Sequence, residues 1–247
     1  MNLLITNDDG IDAPGIEPLA AALAALGEVW VVAPEREQSA QSHAFTLHKP
    51  LRVTRREPRR IALSGTPADC AYAAIHGLAP KPDHVVSGIN RGPNLGNDVH
   101  YSGTVAGARE ATLQGVPGIA VSLYIRSSEG PHHWETAAKV ACEVLEKRIS
   151  AGLPEGTLLN INVPNRAYGE LLGIRAVGLG RRRYEPRVEV RSDPRGNDYV
   201  WLGGKPITEA HITEGDAALA RAGWATVTPM HINPTSIELV EVLNEWF

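Results

Sequence analysis

Short aliphatic runs alternate with amphipathic helical stretches along the first two thirds of the chain, and this alternation limits the fold more than any other feature. Residues 2–6 (NLLIT) are apolar and too few for a helix. Residues 14–26 then put Ile16, Leu19, Ala20, Leu23 and Leu26 on one helical face. Pro14 falls in the first turn, where its missing N–H costs nothing, and Gly27 is the stop. Residues 28–33 (EVWVVA) read as the next strand. Strand, helix, strand at this spacing predicts a right-handed βαβ unit on a parallel sheet.

The pattern continues. Residues 43–56 alternate on either side of Lys49-Pro50 and read as a β-hairpin, with 61–63 as another short strand. A helix is expected from 67 to near 77, with Thr66 as N-cap, Pro67 first and Asp69 favourable to the positive helix end. Residues 84–87 form a strand, 88–101 a glycine- and asparagine-rich loop, and 102–114 a helix opened by Ser102-Gly103-Thr104. Strand 118–123, helix 133–149 and strand 157–163 follow. Beyond Pro164 the chain is rich in Gly, Pro and Arg, with short alternating runs and a small helix near 215–221. The expectation is an α/β protein. Residues 1–165 are expected to form the α/β core on a mostly parallel sheet. Residues 166–247 form a β-rich C-terminal extension, not an independent domain, that serves oligomerisation. With 43% hydrophobic residues, 247 residues suffice for one full core.

A formal charge of -4 argues against bulk nucleic-acid binding, which needs a dense basic surface. Two cysteines, Cys70 and Cys142, support neither a disulfide framework nor a Cys-rich zinc site. The first residues lack the pattern of a signal peptide, and no run approaches the ~18 apolar residues that cross a bilayer. The expectation is a cytoplasmic protein without membrane contact.

Ligands of open parallel sheets bind beyond the carboxyl ends of the strands. Three polar clusters follow apolar strands and should share that edge. The first is Thr6-Asn7-Asp8-Asp9-Gly10, where adjacent carboxylates repel each other unless a cation offsets them. A turn with solvated aspartates is the plainer alternative. The second, residues 35–43, ends at His43 and offers hydroxyls, including Ser39, as metal or phosphate ligands; an ordinary surface loop is the alternative. The third spans 87–98 and leads into Ser102-Gly103-Thr104 at a helix start, where free N–H groups and the dipole favour a phosphate. Ser102 as a simple N-cap is the competing reading. Oxygen-only ligands suit magnesium or manganese. His43, His100 and His231 are candidates for proton transfer. The chain lacks G-x-x-x-x-G-K-[ST], G-x-G-x-x-G after the first strand and G-x-S-x-G, which removes P-loop, dinucleotide and nucleophile-elbow chemistry.

Taken together the motifs resemble those of the SurE family of survival-protein nucleotidases. They are N-D-D-G at 7–10 with A-P-G-I at 13–16, V-V-A-P-E-R at 31–36 with Ser39, S-G-T-P-A-D-C at 64–70, V-S-G-I-N-R-G-P-N-L-G at 86–96, Y-S-G-T-V-A-G-A at 101–108 and L-N-I-N-V-P at 159–164. The resemblance implies hydrolysis of nucleoside 5′- and 3′-monophosphates by a metal-activated water, with one divalent cation (Mn2+ or Mg2+), and trimming of short polyphosphate in some relatives. It implies a Rossmann-like three-layer catalytic core over residues 1–165, and a homodimer or homotetramer built through the C-terminal extension. By the same resemblance the metal ligands fall on Asp8, Asp9, Ser39 and Asn90, and the phosphate contacts on Asn94, Ser102, Gly103 and Thr104. His43 stands where the family often has Asn, so the imidazole takes that amide's place or leaves it unfilled; Asn233 stands where Asp is common. Asp8 or Asp9 would accept the proton of the attacking water. Two rivals are covalent catalysis of the D-x-D type, which the adjacency of the aspartates opposes, and a nucleotide-binding module without turnover.

Overall fold

The structure, a computed structural model, describes residues 1–125, 130–204 and 214–247. Strand β1 is Asn2–Thr6, helix α1 Ile16–Leu23, β2 Glu28–Pro34, β3 Val53–Glu57 and β4 Arg60–Leu63. Helix α2 is Pro67–Ala73, β5 His84–Arg91, α3 Gly103–Leu113, β6 Gly118–Tyr124, α4 Trp134–Ala151 and β7 Thr157–Pro164. Then come β8 Ile174–Ala176, β9 Arg187–Ser192, β10 Asp198–Gly203, α5 Gly215–Ala222, β11 Ala225–His231 and α6 Ile237–Asn244.

The main sheet runs β3-β4-β2-β1-β5-β6-β7-β11-β8. From β4 through β7 every pairing is parallel. The chain leaves β1 toward β2 on one side and returns to β5 on the other, so the order reverses between β1 and β5. That reversal opens a crevice at the carboxyl edge. Strand β1 shows why the sheet is sandwiched. Leu3 and Ile5 enter one core with Leu19 and Leu23 of α1 and Val140 of α4. Leu4 enters the opposite core with Cys70 of α2 and Ala111 of α3. A strand buried on both faces must read as a continuous apolar run, as this one does.

Sequence and structure differ at three places. The hairpin expected over 43–56 is displaced: β3 pairs with β4 around Pro58-Arg59, and no strand precedes Val53 in this stretch. The reason lies in α2, whose capping box consumes the backbone of 44–46. The Thr46 N–H donates to Asp69 Oδ1 at 2.8 Å, and Thr66 Oγ1 donates to the Ala44 carbonyl at 2.7 Å. Both bonds take backbone groups that a ladder would use, and the segment stays irregular. Second, β5 does not stop at Ser87 but continues through Gly88 to Arg91, with a register shift against β6 between Ser87 and Asn90. Third, α1 begins two residues after Pro14, which sits in the preceding turn.

Residues after 165 are divided between two roles. Strand β11 pairs antiparallel with β7 and carries β8 beside it, both within the main sheet. Strands β9 and β10 form a separate two-stranded ribbon. Helix α6 buries none of its residues. No helix among the described residues is long and apolar enough to cross a membrane.

Candidate active site

The site begins with a turn. After β1 the Asn7 side chain closes on Gly10: its Nδ2 donates to the Gly10 carbonyl at 2.8 Å and its Oδ1 accepts the Gly10 N–H at 3.2 Å. Gly10 has φ +102, a conformation that suits glycine. Asp8 and Asp9 stand within this turn and line a cleft of about 800 Å³ at the carboxyl edge of the sheet.

Asp8 is 5% exposed. Helix α3 starts against it: the Thr104 hydroxyl donates to Asp8 Oδ1 at 2.6 Å. A Cβ on Gly103 would lie 2.8 Å from the Asp8 Cβ, so glycine is what lets the helix end approach. Burial pushes the Asp8 carboxyl up to about 6; the Thr104 hydroxyl opposes the rise and the Asp9 charge adds to it. Asp9 is raised as well, chiefly by burial. The Arg91 N–H, which donates to Asp9 Oδ2 at 2.9 Å, counters this, and Glu37 adds to it. Two adjacent acids thus lose hydration without gaining a cationic side chain of comparable effect, which is the environment a bound cation relieves.

Ser39 and Asn90 line the same cleft. Ser39 Oγ donates to Glu37 Oε1 at 2.7 Å. Asn90 Nδ2 donates to the Gly92 carbonyl at 2.8 Å, so a ligand role for this side chain falls to its oxygen. Four oxygen-bearing side chains with two carboxylates among them fit a hard divalent ion. Among the described residues no three His, Cys, Asp or Glu side chains converge on one point. The fit therefore depends on the neutral oxygens of Ser39 and Asn90 beside the acid pair.

Asn94 and Ser102 also line the cleft, and both have structural work. Ser102 Oγ accepts the Val105 N–H at 3.0 Å as the N-cap of α3. Asn94 Nδ2 donates to Ser122 Oγ at 2.9 Å and Thr104 Oγ1 at 3.3 Å. His43 is placed differently: it does not line the cleft, and its Nε2 meets Glu110 Oε2 at 2.7 Å. His231 is outside the cleft too, with Nδ1 accepting the Asn233 N–H at 3.0 Å.

Several residues around the site escaped the sequence reading. Asn160 and Asn162 are fully buried on β7 and point to one face, as alternate strand residues must. Their amides donate to the Asn94 carbonyl at 2.8 and 3.0 Å, and Asn162 Oδ1 accepts the Asn94 N–H at 2.8 Å. Two asparagines inside an apolar strand were the available signal, because buried amides need partners. Asp98, by contrast, belongs to the third polar cluster of the sequence; it stands in the cleft wall, binds Arg182 and accepts from the Tyr184 hydroxyl at 2.8 Å, partners the sequence did not show. His132 and Trp134 close another part of the wall, and no periodicity marks them.

The fold and site define a three-layer α/β protein with an acid pair at the reversal point of its parallel sheet. The family model described as survival protein SurE matches residues 3–186. The chain belongs to the SurE family. It is 45% identical over 247 residues to the 5′-nucleotidase SurE of Geotalea uraniireducens, covering 100% of this chain and 99% of the relative. It is 47% identical to the 5′-nucleotidase SurE of Syntrophotalea carbinolica, covering 100% and 97%. The crystal structure of the SurE protein from Aquifex aeolicus superposes with a TM-score of 0.87 at 37% identity, covering 100% of this chain and 99% of that one.

Proposed function

We propose that this protein is a nucleotidase that hydrolyses nucleoside 5′-monophosphates, and 3′-monophosphates at the same site, to nucleoside and inorganic phosphate, with a divalent cation, Mn2+ or Mg2+, at Asp8, Asp9, Ser39 and Asn90. The observation that carries this reading is the buried acid pair beside the start of α3, with the Asp8 carboxyl pushed up to about 6 by burial. Acids alone would repel a phosphate; acids beside a cation draw one in. The cation, when bound, polarises a phosphoryl oxygen and acidifies water.

The chain's own groups do the rest. Helix α3 directs its N-terminal dipole at the cleft, favouring the charge of the phosphoryl oxygens. Asn94 and Ser102, which line the cleft, would hold the phosphate ester. Asp9 is the more exposed of the two acids and the better placed to accept the proton of the attacking water. His43, paired with Glu110 of α3 and outside the cleft lining, would act on the phosphate site through that helix. Short polyphosphate, a chain of the same phosphoryl groups, fits the same reading as a second substrate. We place the enzyme in the cytoplasm, where nucleoside monophosphates are found.

The extension is the assembly element of this proposal. Val190 faces Val200 and Val188 faces Leu202 across the β9–β10 ribbon, so these four side chains share one face, with exposures of 54–78%. An isolated two-stranded ribbon is marginal in water and needs a partner surface. A second copy supplies it, as a dimer or tetramer.

The deciding measurement is phosphate release from AMP and GMP at neutral pH, first with EDTA and then with added Mn2+ or Mg2+. Release only with metal is the expected outcome. Tight nucleotide binding without release under any metal would replace the enzyme by a binding module.

A further inference from the structure

We propose that Asp216 of α5 is a positioning residue for the phosphate-binding loop, linking the C-terminal extension to the site through the backbone of Gly96. The inference rests on the proposed function, in which residues 92–102 carry phosphate contacts. Asp216 is fully buried. Its Oδ2 accepts the Gly96 N–H at 2.9 Å, and its Oδ1 accepts the Gly180 N–H at 2.9 Å and the Ala217 N–H at 2.8 Å. One carboxylate therefore joins three chain segments: the site loop, the stretch after β8 and the first turn of α5.

The three segments meet too closely for side chains. A Cβ on Gly96, whose φ is +53, would lie 2.8 Å from the Gly180 carbonyl oxygen. A Cβ on Gly180 would lie 2.8 Å from the Glu214 carbonyl oxygen. Such packing buries the Gly96 N–H away from water, and a carboxylate, with two acceptor oxygens, is the side chain that can satisfy several N–H groups at once. Gly96 is two residues from Asn94, whose own N–H and carbonyl are gripped by Asn160 and Asn162. It also opens the turn Gly96–His100 that leads to Ser102. The loop is thus pinned at Asn94 by β7 and at Gly96 by α5. Asp98 is held separately by Arg182 and Tyr184, so releasing the Gly96 pin loosens the stretch between Asn94 and Asp98, while the acid pair after β1 keeps its own contacts.

Asp216→Asn has nearly the shape of the original but turns one acceptor into a donor that must face either Gly96 or Gly180. The test uses full-length protein with Mn2+. Expected for a folded variant is a fall in kcat/KM for AMP of about tenfold or more, a similar weakening of inhibition by inorganic phosphate, and Mn2+ affinity by EPR titration within about twofold of wild type. A folded variant with wild-type turnover and phosphate inhibition overturns the assignment and leaves the proposed function standing. Equal loss of Mn2+ and phosphate binding also overturns it, because the damage is then general. A wild-type protein that neither hydrolyses AMP nor binds phosphate removes the reading beneath it. Should Asp216→Asn not fold, hydrogen exchange of the wild type decides: the Gly96 and Gly180 amides are expected to exchange as slowly as those of β5 and β6, and rapid exchange at Gly96 overturns the proposal.

Discussion

At the residue scale the acid pair is a study in unequal burial. Asp8 titrates near 6 in the folded chain against an ordinary value of 3.8, because burial outweighs the Thr104 hydroxyl. The folded state therefore binds this proton more tightly than the unfolded state. Its stabilisation is fully present below 3.8 and is lost as pH rises through about 6. At 1.36 kcal/mol per pH unit, the loss is on the order of 3 kcal/mol. Asp8→Asn, which mimics the protonated acid, removes that dependence. In EDTA, urea unfolding should show the variant gaining on wild type by roughly 2–3 kcal/mol between pH 4 and pH 7. Parallel stability curves would show that Asp8 is not desolvated. Gly103 gives a second expectation. With the Cβ of an alanine 2.8 Å from the Asp8 Cβ, α3 must retreat, and Gly103→Ala should lower kcat/KM about a hundredfold. A variant with near wild-type kinetics would mean that this contact is slack.

At the element scale the clearest case is α2. Thr66 caps it and Asp69 returns the favour at the Thr66 N–H, 2.9 Å away. The same two side chains hold the irregular segment at Ala44 and Thr46. Thr66→Ala should cost about 1–2 kcal/mol in urea denaturation. It should also raise proteolysis within residues 43–52, an effect a cap alone would not produce. Loss of stability without new cleavage would separate the cap from the segment. This helix start was legible from Thr66-Pro67-Ala68-Asp69, because capping is local chemistry. The strand expected before it was not, because alternation over 43–52 carries no information about which partner takes the backbone. Strand β5 failed in the opposite sense: Gly88 reads as a break, and β1 does pair only as far as Ser87, yet β6 resumes pairing at Asn90 and carries the strand to Arg91.

At the scale of the whole molecule the extension is both structural and outward-facing. β11 and β8 continue the main sheet beyond β7 and Asp216 of α5 accepts the Gly96 N–H, whereas the β9–β10 ribbon and α6 present apolar side chains outward. Val190→Glu combined with Val200→Glu should lower the mass seen in sedimentation at micromolar concentration while leaving helix content unchanged. An unchanged mass would move the assembly surface away from the ribbon. The sequence by itself determined the alternating strands and helices, the parallel core, and the strand-end positions that bring Asp8, Asp9 and Asn90 to one cleft. Each of these depends on short-range pattern or on strand ends. Only the tertiary structure decided that His43 pairs with Glu110, that Asn160 and Asn162 hold Asn94, and that Asp216 reaches Gly96 across 120 positions. Such contacts depend on how distant segments are brought together, and a buried polar group shows its partner only once the fold has supplied one.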